Sequence, residues 1–238
     1  MKETAVGLNV GELNKRFENQ SAEQVLRWAH EKFGRELLLA CSFGAEDVAL
    51  VEMYSRSTIT PQIFYLDTDK HFQETYDTRD QLTEKYGVRF IQVKPEISLD
   101  EQAERYGDRL WETDPNQCCF IRKVEPLQGV LRQAKAWITG IRRDQSHTRA
   151  NAQRIEWDNQ FGLFKINPLV SWTSTDVWNY IKDNQIPYNP LHDQNYPSIG
   201  CDVCTRPVQP GEDQRAGRWA GSMKTECGLH KGAKEGSD

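Results

Sequence analysis

Four short, mostly apolar runs constrain this chain more than any other feature: residues 36–41 (ELLLAC), 63–66 (IFYL), 88–93 (VRFIQV) and 136–139 (AWIT). All four read as strands, and the first two as strands buried on both faces, the condition of a parallel sheet covered by helices. The stretches between them carry helical periodicity. Residues 13–33 place Leu13, Phe17, Val25, Trp28, Ala29 and Phe33 on an apolar stripe, and Ser21 with Gln24 forms a capping-box pattern that divides this stretch near Asn19. Helical patterns follow at 48–54, 75–86 (closed by Gly87), 99–106, 118–131 (with Pro126 limiting its regularity) and 173–184, and 163–167 reads as a further strand. Asp114-Pro115-Asn116 reads as a turn. Strands alternating with helices predict an α/β fold, a doubly wound and mostly parallel sheet.

The expected organisation is one domain over residues 1–238, with the α/β core at about 36–184 and a loop-rich segment at 185–238. Pro187, Pro190, Pro197, Pro207 and Pro210 punctuate that segment, and the tail beyond Gly228 is expected to be mobile. A net charge of −5 gives no general attraction to nucleic acid or to anionic membranes. No apolar run is long enough to span a bilayer and residues 1–20 carry no signal-peptide pattern, so a cytoplasmic location is expected. Six cysteines in a reducing compartment point to metal ligands or reactive thiols rather than disulfides.

Four of them make a set: the doublet Cys118-Cys119 and the C-x-x-C of Cys201 and Cys204. Soft thiolates in that number suit zinc or an iron–sulfur cluster. Zinc ribbons space their ligands, so the adjacent pair favours a cubane cluster. Lys123 stands about one helical turn beyond Cys119, within reach of such a site, though an exposed lysine is the plain alternative. Cys227 lies outside the set, between Lys224 and His230, in a setting that suits a nucleophilic thiol; an incidental tail thiol is its alternative. Cys41 reads as a small buried hydrophobe.

Three strand ends carry candidate anion sites. The turn 42–47 (SFGAED) joins the first strand to a helix N-terminus, where backbone N–H groups can hold a phosphate or sulfate, unless it is a plain strand–helix connection. It lacks the Gly-Lys-Ser/Thr of a Walker A loop. Asp67-Thr68-Asp69 follows the second strand, where open α/β sheets bind ligands, and a solvated turn is its alternative. Residues 141–149 follow the fourth strand with a run of cations and hydroxyls, and 211–219 (GEDQRAGRW) add Arg215 and Arg218.

These segments, SFGAEDVAL at 42–50, YLDTD at 65–69, CCFIRKVEPL at 118–127, WITGIRRDQSHTR at 137–149, NPLHDQNYPSIGCDVCTR at 189–206, GEDQRAGRW and ECGLH, resemble in sequence and order the thioredoxin-dependent, iron–sulfur branch of the APS/PAPS (adenylyl-sulfate/phosphoadenylyl-sulfate) reductase family. The resemblance implies a fold similar to adenine-nucleotide α-hydrolases with a modified pyrophosphate loop. Enzymes that split ATP to pyrophosphate carry S-G-G-x-D-S there, and Phe43, Glu46 and Asp47 depart from it. It implies one [4Fe–4S] cluster per subunit on Cys118, Cys119, Cys201 and Cys204, with Lys123 linking the cluster's field to the substrate sulfate. Substrate contacts are implied at Ser42, Phe43, Gly44, Asp47, Asp67, Thr68, Lys123, Arg142, Arg143, Arg215, Arg218 and His230. Cys227 is implied to attack the sulfur of adenosine 5′-phosphosulfate (APS), expel AMP and carry a thiosulfonate that thioredoxin or glutaredoxin resolves to sulfite. The alternative substrate is PAPS, which adds a 3′-phosphate. Self-association is a further expectation, as is the absence of nucleic-acid and membrane partners. A tRNA-thiolating relative lacks its intact pyrophosphate loop here, and a cluster-bearing sensor leaves ECGLH without a task.

Overall fold

A computed structural model describes residues 8–57, 62–220, 222, 224 and 226–230. In chain order the elements are α1 (Val10–Phe17), α2 (Ala22–Phe33), β1 (Leu37–Ala40), α3 (Ala45–Ser55), β2 (Gln62–Leu66), α4 (Gln73–Tyr86), β3 (Phe90–Val93), α5 (Leu99–Tyr106), α6 (Leu110–Thr113), α7 (Pro115–Cys119), α8 (Glu125–Leu131), β4 (Ala136–Ile138), β5 (Ile155–Asp158), β6 (Leu163–Ile166) and α9 (Ser174–Asp183). The strands form one six-stranded sheet in the order β3-β2-β1-β4-β6-β5. All neighbours are parallel except β5, which runs antiparallel to β6.

The central strands β1, β2 and β4 are almost wholly apolar because both faces of the sheet are covered there. Along β1, Leu37 and Leu39 join the larger core cluster while Leu38 joins the smaller, and Ile63, Phe64 and Tyr65 alternate the same way in β2. The larger cluster lies under α1, α2, α3 and α9; the smaller lies under α8, where Leu127 and Leu131 pack on Trp137. Helix α3 is buried from Val48 through Tyr54, which explains why its apolar residues show no single stripe. The capping box of Ser21 and Gln24 separates α1 from α2, as its pattern predicts.

Two local readings are corrected and one strand is added. Strand β5 was not anticipated, because it is short, polar at alternate positions and lies at the sheet edge. The side-chain amide of Asn14 serves as its outer partner, donating to the Ile155 carbonyl at 2.8 Å and accepting from the Ile155 N–H at 3.0 Å. Asp114 opens a helix instead of a free turn: its carboxylate accepts from the N–H groups of Asn116 (3.1 Å) and Gln117 (2.9 Å), with Pro115 in the first turn. The helix expected over 118–131 is broken by a π-helical turn at Phe120–Val124 between α7 and α8. Pro126 supplies a reason, since it has no N–H for the usual bond back to residue 122.

No helix among the described residues is long and apolar enough to cross a membrane. The segment after α9 runs along the carboxyl ends of the parallel strands. His71 and Cys201 form a β-bridge, and Asp202 N–H donates to the Lys70 carbonyl at 2.8 Å, which ties the C-x-x-C to the end of β2. Residues 231–238, part of the tail expected to be mobile, lie outside the described residues.

Candidate active site

The turn between β1 and α3 is held by its own side chains. The Ser42 N–H and Oγ both donate to Asp47 Oδ2, at 2.6 and 2.7 Å. Phe43 takes the left-handed φ of +62°, a conformation costly for a bulky residue. Its ring offsets that cost by packing edge-on against Tyr65 and Phe90, with centroids 5.3 and 5.1 Å away. Gly44 then caps α3 by backbone alone. The turn following β4 comes so near that a methyl group on Gly140 would lie 2.5 Å from Asp47 Oδ1 and 2.7 Å from Glu46 Cβ. Burial pushes the Asp47 carboxyl up to about 6, against the opposing pull of the Ser42 hydrogen bonds.

Above these turns lies a cavity of about 310 Å³, walled by strand ends, the 140–149 turn and the C-terminal segment. Three of its arginines pair with carboxylates. Buried Arg142 donates from Nε to Glu46 at 2.8 Å and from a terminal nitrogen to Asp144 at 3.1 Å. Arg149 and Arg215 both pair with Glu226, at 3.0 and 3.1 Å. Burial brings the Arg215 guanidinium down to about 10. Arg218 donates to Ser198 Oγ and to the Ile199 carbonyl and lies 4.6 Å over the Trp219 ring, while its buried Nε has no partner among the described residues. Gly200 makes room for that guanidinium, because a Cβ there would overlap it.

The chain returns to the cavity with Cys227, Leu229 and His230. The His230 ring stacks on Trp137, 5.4 Å between centroids and 18° between planes, and its Nδ1 has no partner among the described residues. Burial, reinforced by Lys165, Arg149 and Arg215, holds this imidazole well below its ordinary value. At neutral pH it is therefore an uncharged group at the cavity wall.

Beside the cavity, Cys118, Cys119, Cys201 and Cys204 line a smaller pocket together with Thr68, Arg122, Lys123 and Trp219. The Thr68 hydroxyl and the Cys201 sulfur are 3.3 Å apart. Burial, then the neighbouring thiols, push Cys118 up to about 11 and Cys204 up to about 12. Four soft donors gathered in one pocket fit a cationic metal centre, whose charge would favour the thiolate forms that burial disfavours at Cys118 and Cys204. Among the described residues, no group of three or more His, Cys, Asp and Glu side chains already has the arrangement of a metal site. All six cysteines are free. Buried Lys123 faces both pockets: desolvation pulls its ammonium down, but Cys201, Cys119 and Cys227 outweigh it and the net shift is upward.

Of the substrate contacts expected from sequence, Ser42, Phe43, Gly44, Asp47, Lys123, Arg142, Arg215, Arg218 and His230 line the one cavity with Cys227. Phe43 faces it through its backbone turn, its ring being core. Asp67, Thr68 and Arg143 lie elsewhere. Asp67 organises the end of β2, accepting from Tyr76 Oη at 2.7 Å and from the Asp69 N–H at 3.0 Å; burial raises its carboxyl, but these bonds carry it below the usual range. Thr68 belongs to the cysteine pocket, and exposed Arg143 donates to the Ala152 carbonyl at 2.8 Å. Arg149, Gln145 and His192 line the cavity and were not singled out from sequence. The cation run held Arg149 in view, but two tight turns at 143–149 decide which arginine points inward.

The family profile described as the phosphoadenosine phosphosulfate reductase domain matches residues 36–207. The chain is similar to proteins named adenosine 5′-phosphosulfate reductase from Halalkalibacterium halodurans (48% identical over 228 residues, 95% of this chain and 99% of the relative) and Staphylococcus epidermidis (50% over 222 residues, 93% and 91%). Among solved structures it is similar to a phosphoadenylyl-sulfate reductase from Candida auris in a phosphate complex, with a TM-score of 0.75 and 32% identity, covering 87% of this chain and 99% of that one. A Candida glabrata FMN adenylyltransferase shares the fold at a TM-score of 0.58 and 16% identity, covering 84% of this chain and 65% of that one.

Proposed function

Because the chain belongs to the phosphoadenosine phosphosulfate reductase domain family, we propose that it reduces APS to sulfite and AMP with Cys227 as nucleophile. The observation that carries this reading is the cavity itself, which gathers Cys227, His230, Lys123 and four arginines above a phosphate-type turn. The turn at Ser42 and the arginines bind the phosphate and sulfate oxygens as charge-assisted donors. The Cys227 thiolate attacks the sulfate sulfur, the bond from sulfur to the AMP phosphate oxygen breaks, and AMP leaves with that electron pair. Arg215, Arg218, Lys123 and the neutral His230 surround the charge that develops at the sulfonate. A dithiol reductant of the thioredoxin or glutaredoxin class then attacks Cys227 Sγ, sulfite departs, and the second thiol closes the reductant's disulfide. The two electrons that reach sulfur come from that dithiol.

The four cysteines of the smaller pocket are assigned to a [4Fe–4S] cluster, supported by their soft donor set and shared pocket. When bound there, the cluster supplies fixed charge beside Lys123 and the sulfonate site. The free thiols suit a reducing compartment such as the cytoplasm. APS is preferred over PAPS because the relatives at 48 and 50% identity are named for APS, whereas the Candida auris PAPS reductase is 32% identical.

Anaerobically purified protein, incubated without reductant with APS and separately with PAPS, tests the reading by intact and peptide mass spectrometry. A thiosulfonate on Cys227 from APS, discharged as sulfite by reduced thioredoxin, is the expected result. An adduct from PAPS alone reassigns the substrate, and no adduct from either nucleotide removes the reductase reading. Iron and sulfide analysis tests the cluster independently of activity: serine at Cys118, Cys119, Cys201 or Cys204 loses iron, and serine at Cys41 does not. Stoichiometric zinc instead of iron would overturn that assignment.

A further inference from the structure

The described residues around Cys227 form no helix or strand, so its position must be imposed from outside. The residue before it supplies the means. One Glu226 carboxylate oxygen accepts from Arg149 Nε at 3.1 Å and Thr148 Oγ1 at 3.2 Å; the other accepts from terminal nitrogens of Arg149 and Arg215 at 3.0 and 3.1 Å. The Glu226 side chain is 17% exposed. Burial alone would raise its carboxyl, but Arg149 and Arg215 hold it below the ordinary range, so it stays charged. Other anchors flank it without facing the substrate: Lys224 Nζ donates to Asn116 Oδ1 at 2.6 Å and Gln160 donates to the Gly228 carbonyl at 3.1 Å. Arg149 and Arg215 differ from these, because both line the cavity.

We propose that Glu226 is a positioning residue. Its ion pairs with Arg149 and Arg215 set Cys227 against the cavity, so the guanidinium groups that face the substrate's anionic oxygens also hold the nucleophile's segment. Binding of substrate and seating of the thiol thereby share donors. This inference rests on Cys227 being the nucleophile of the proposed reaction, and it places no bond-making step on Glu226. A displacement of the attacking atom by about 1 Å can slow a reaction about a hundredfold.

Glu226→Gln keeps the side-chain volume and removes the charge; Glu226→Asp keeps the charge on a shorter stem. In the substrate-free cluster-loaded protein, alkylation of Cys227 by iodoacetamide, read by peptide mass spectrometry, is expected to quicken about tenfold in the glutamine variant. A thermal melting midpoint within about 2 °C of wild type reports that the fold is intact. With APS, single-turnover formation of the Cys227 thiosulfonate is expected to slow by about tenfold to about a hundredfold, while affinity for AMP changes by less than about threefold. The aspartate variant recovers part of the rate, and it decides the matter if the glutamine variant does not fold. Rates of alkylation and of thiosulfonate formation both within about twofold of wild type would overturn the proposal, as would a slowing fully explained by weaker AMP binding. If the wild-type protein forms no thiosulfonate, the reductase reading fails, while the alkylation rates still decide whether Glu226 seats the segment.

Discussion

Gly140 lies two residues after β4, where the turn meets the N-terminus of α3, and replacing it by alanine tests whether that approach sets the shape of the anion-binding turn. Its φ is outside the left-handed region, so alanine meets no backbone penalty and the effect is steric. The new methyl would lie 2.5 Å from Asp47 Oδ1 and 2.7 Å from Glu46 Cβ. Neither neighbour yields easily. The Asp47 carboxylate is pinned through its other oxygen by two bonds from Ser42, and Glu46 Cβ moves only with its main chain. Ordinary carbon contacts are about 3.5–4.0 Å, so the turn and β4 must separate. Overpacking of this kind costs about 1–3 kcal/mol. In a chain of this size each kcal/mol lowers Tm by about 2–4 °C, which gives a fall of about 2–12 °C. The same glycine-to-alanine change at Gly129 provides the contrast. It lies within α8 with no heavy atom within 4 Å of the added methyl, and alanine favours a helix interior by about 1 kcal/mol. Thermal melts should therefore move in opposite directions, and AMP affinity, measured by calorimetry, should fall only for Gly140→Ala. A Gly140→Ala protein as stable as wild type, with unchanged AMP affinity, would refute the claim that this contact shapes the turn.

Other perturbations have signs of their own. Asp47, with its carboxyl raised to about 6 by burial, costs stability while charged. That cost is full above about pH 6 and fades as pH falls toward the unfolded value of about 3.9. Wild type should accordingly gain on Asp47→Asn between pH 7.5 and pH 5 by up to about 1.4 kcal/mol per pH unit in urea titrations; a constant difference would contradict it. Phe43→Gly relieves a left-handed φ worth about 1–2 kcal/mol but deletes a core ring worth about 3–5 kcal/mol, so it should destabilise by about 2 kcal/mol. A stabilised variant would mean that strain, not packing, dominates there. Arg149→Ala should weaken AMP or APS binding at least about tenfold, the effect of losing a charge-assisted contact, whereas Arg143→Ala should leave it within about twofold; the reverse ranking would overturn the placement of the two side chains.

The core of the sheet was legible because each parallel strand must be apolar on both faces, so ELLLAC and IFYL could hardly be anything else. Strand β5 was not, since Glu156 and Asp158 on an edge strand read like a loop, and its outer partner is a side chain from α1. Turn residues with one task, such as the Ser21 capping box, were visible; Asp114 was misread because Asp-Pro-Asn also writes a turn. In the cavity, residue type was easier to read than direction. Arg142, Arg143 and Arg149 share one cationic run, and short 3₁₀ turns send the first and last inward and the second to solvent. Asp67 and Thr68 sit at a strand end that usually meets ligand, yet their side chains serve the scaffold and the cysteine pocket.

Arg142, Arg149 and Arg215 meet carboxylates of the chain itself before any ligand arrives, and that arrangement bears on how fast a ligand can arrive. Charges paired at about 3 Å present little field beyond a Debye length of about 8 Å. The protein as a whole carries a net charge of −5, so a nucleotide anion approaching from bulk solvent is not drawn in over long distances. Its encounter rate should rise modestly with ionic strength, as salt screens the net negative charge. Recognition is thereby left to the last few ångströms, where an incoming oxyanion meets guanidinium groups whose other donors are held by Glu46, Asp144 and Glu226. Small anions with the wrong shape gain no kinetic advantage from the cluster of arginines, and the cleft can be rich in positive side chains without filling indiscriminately with phosphate.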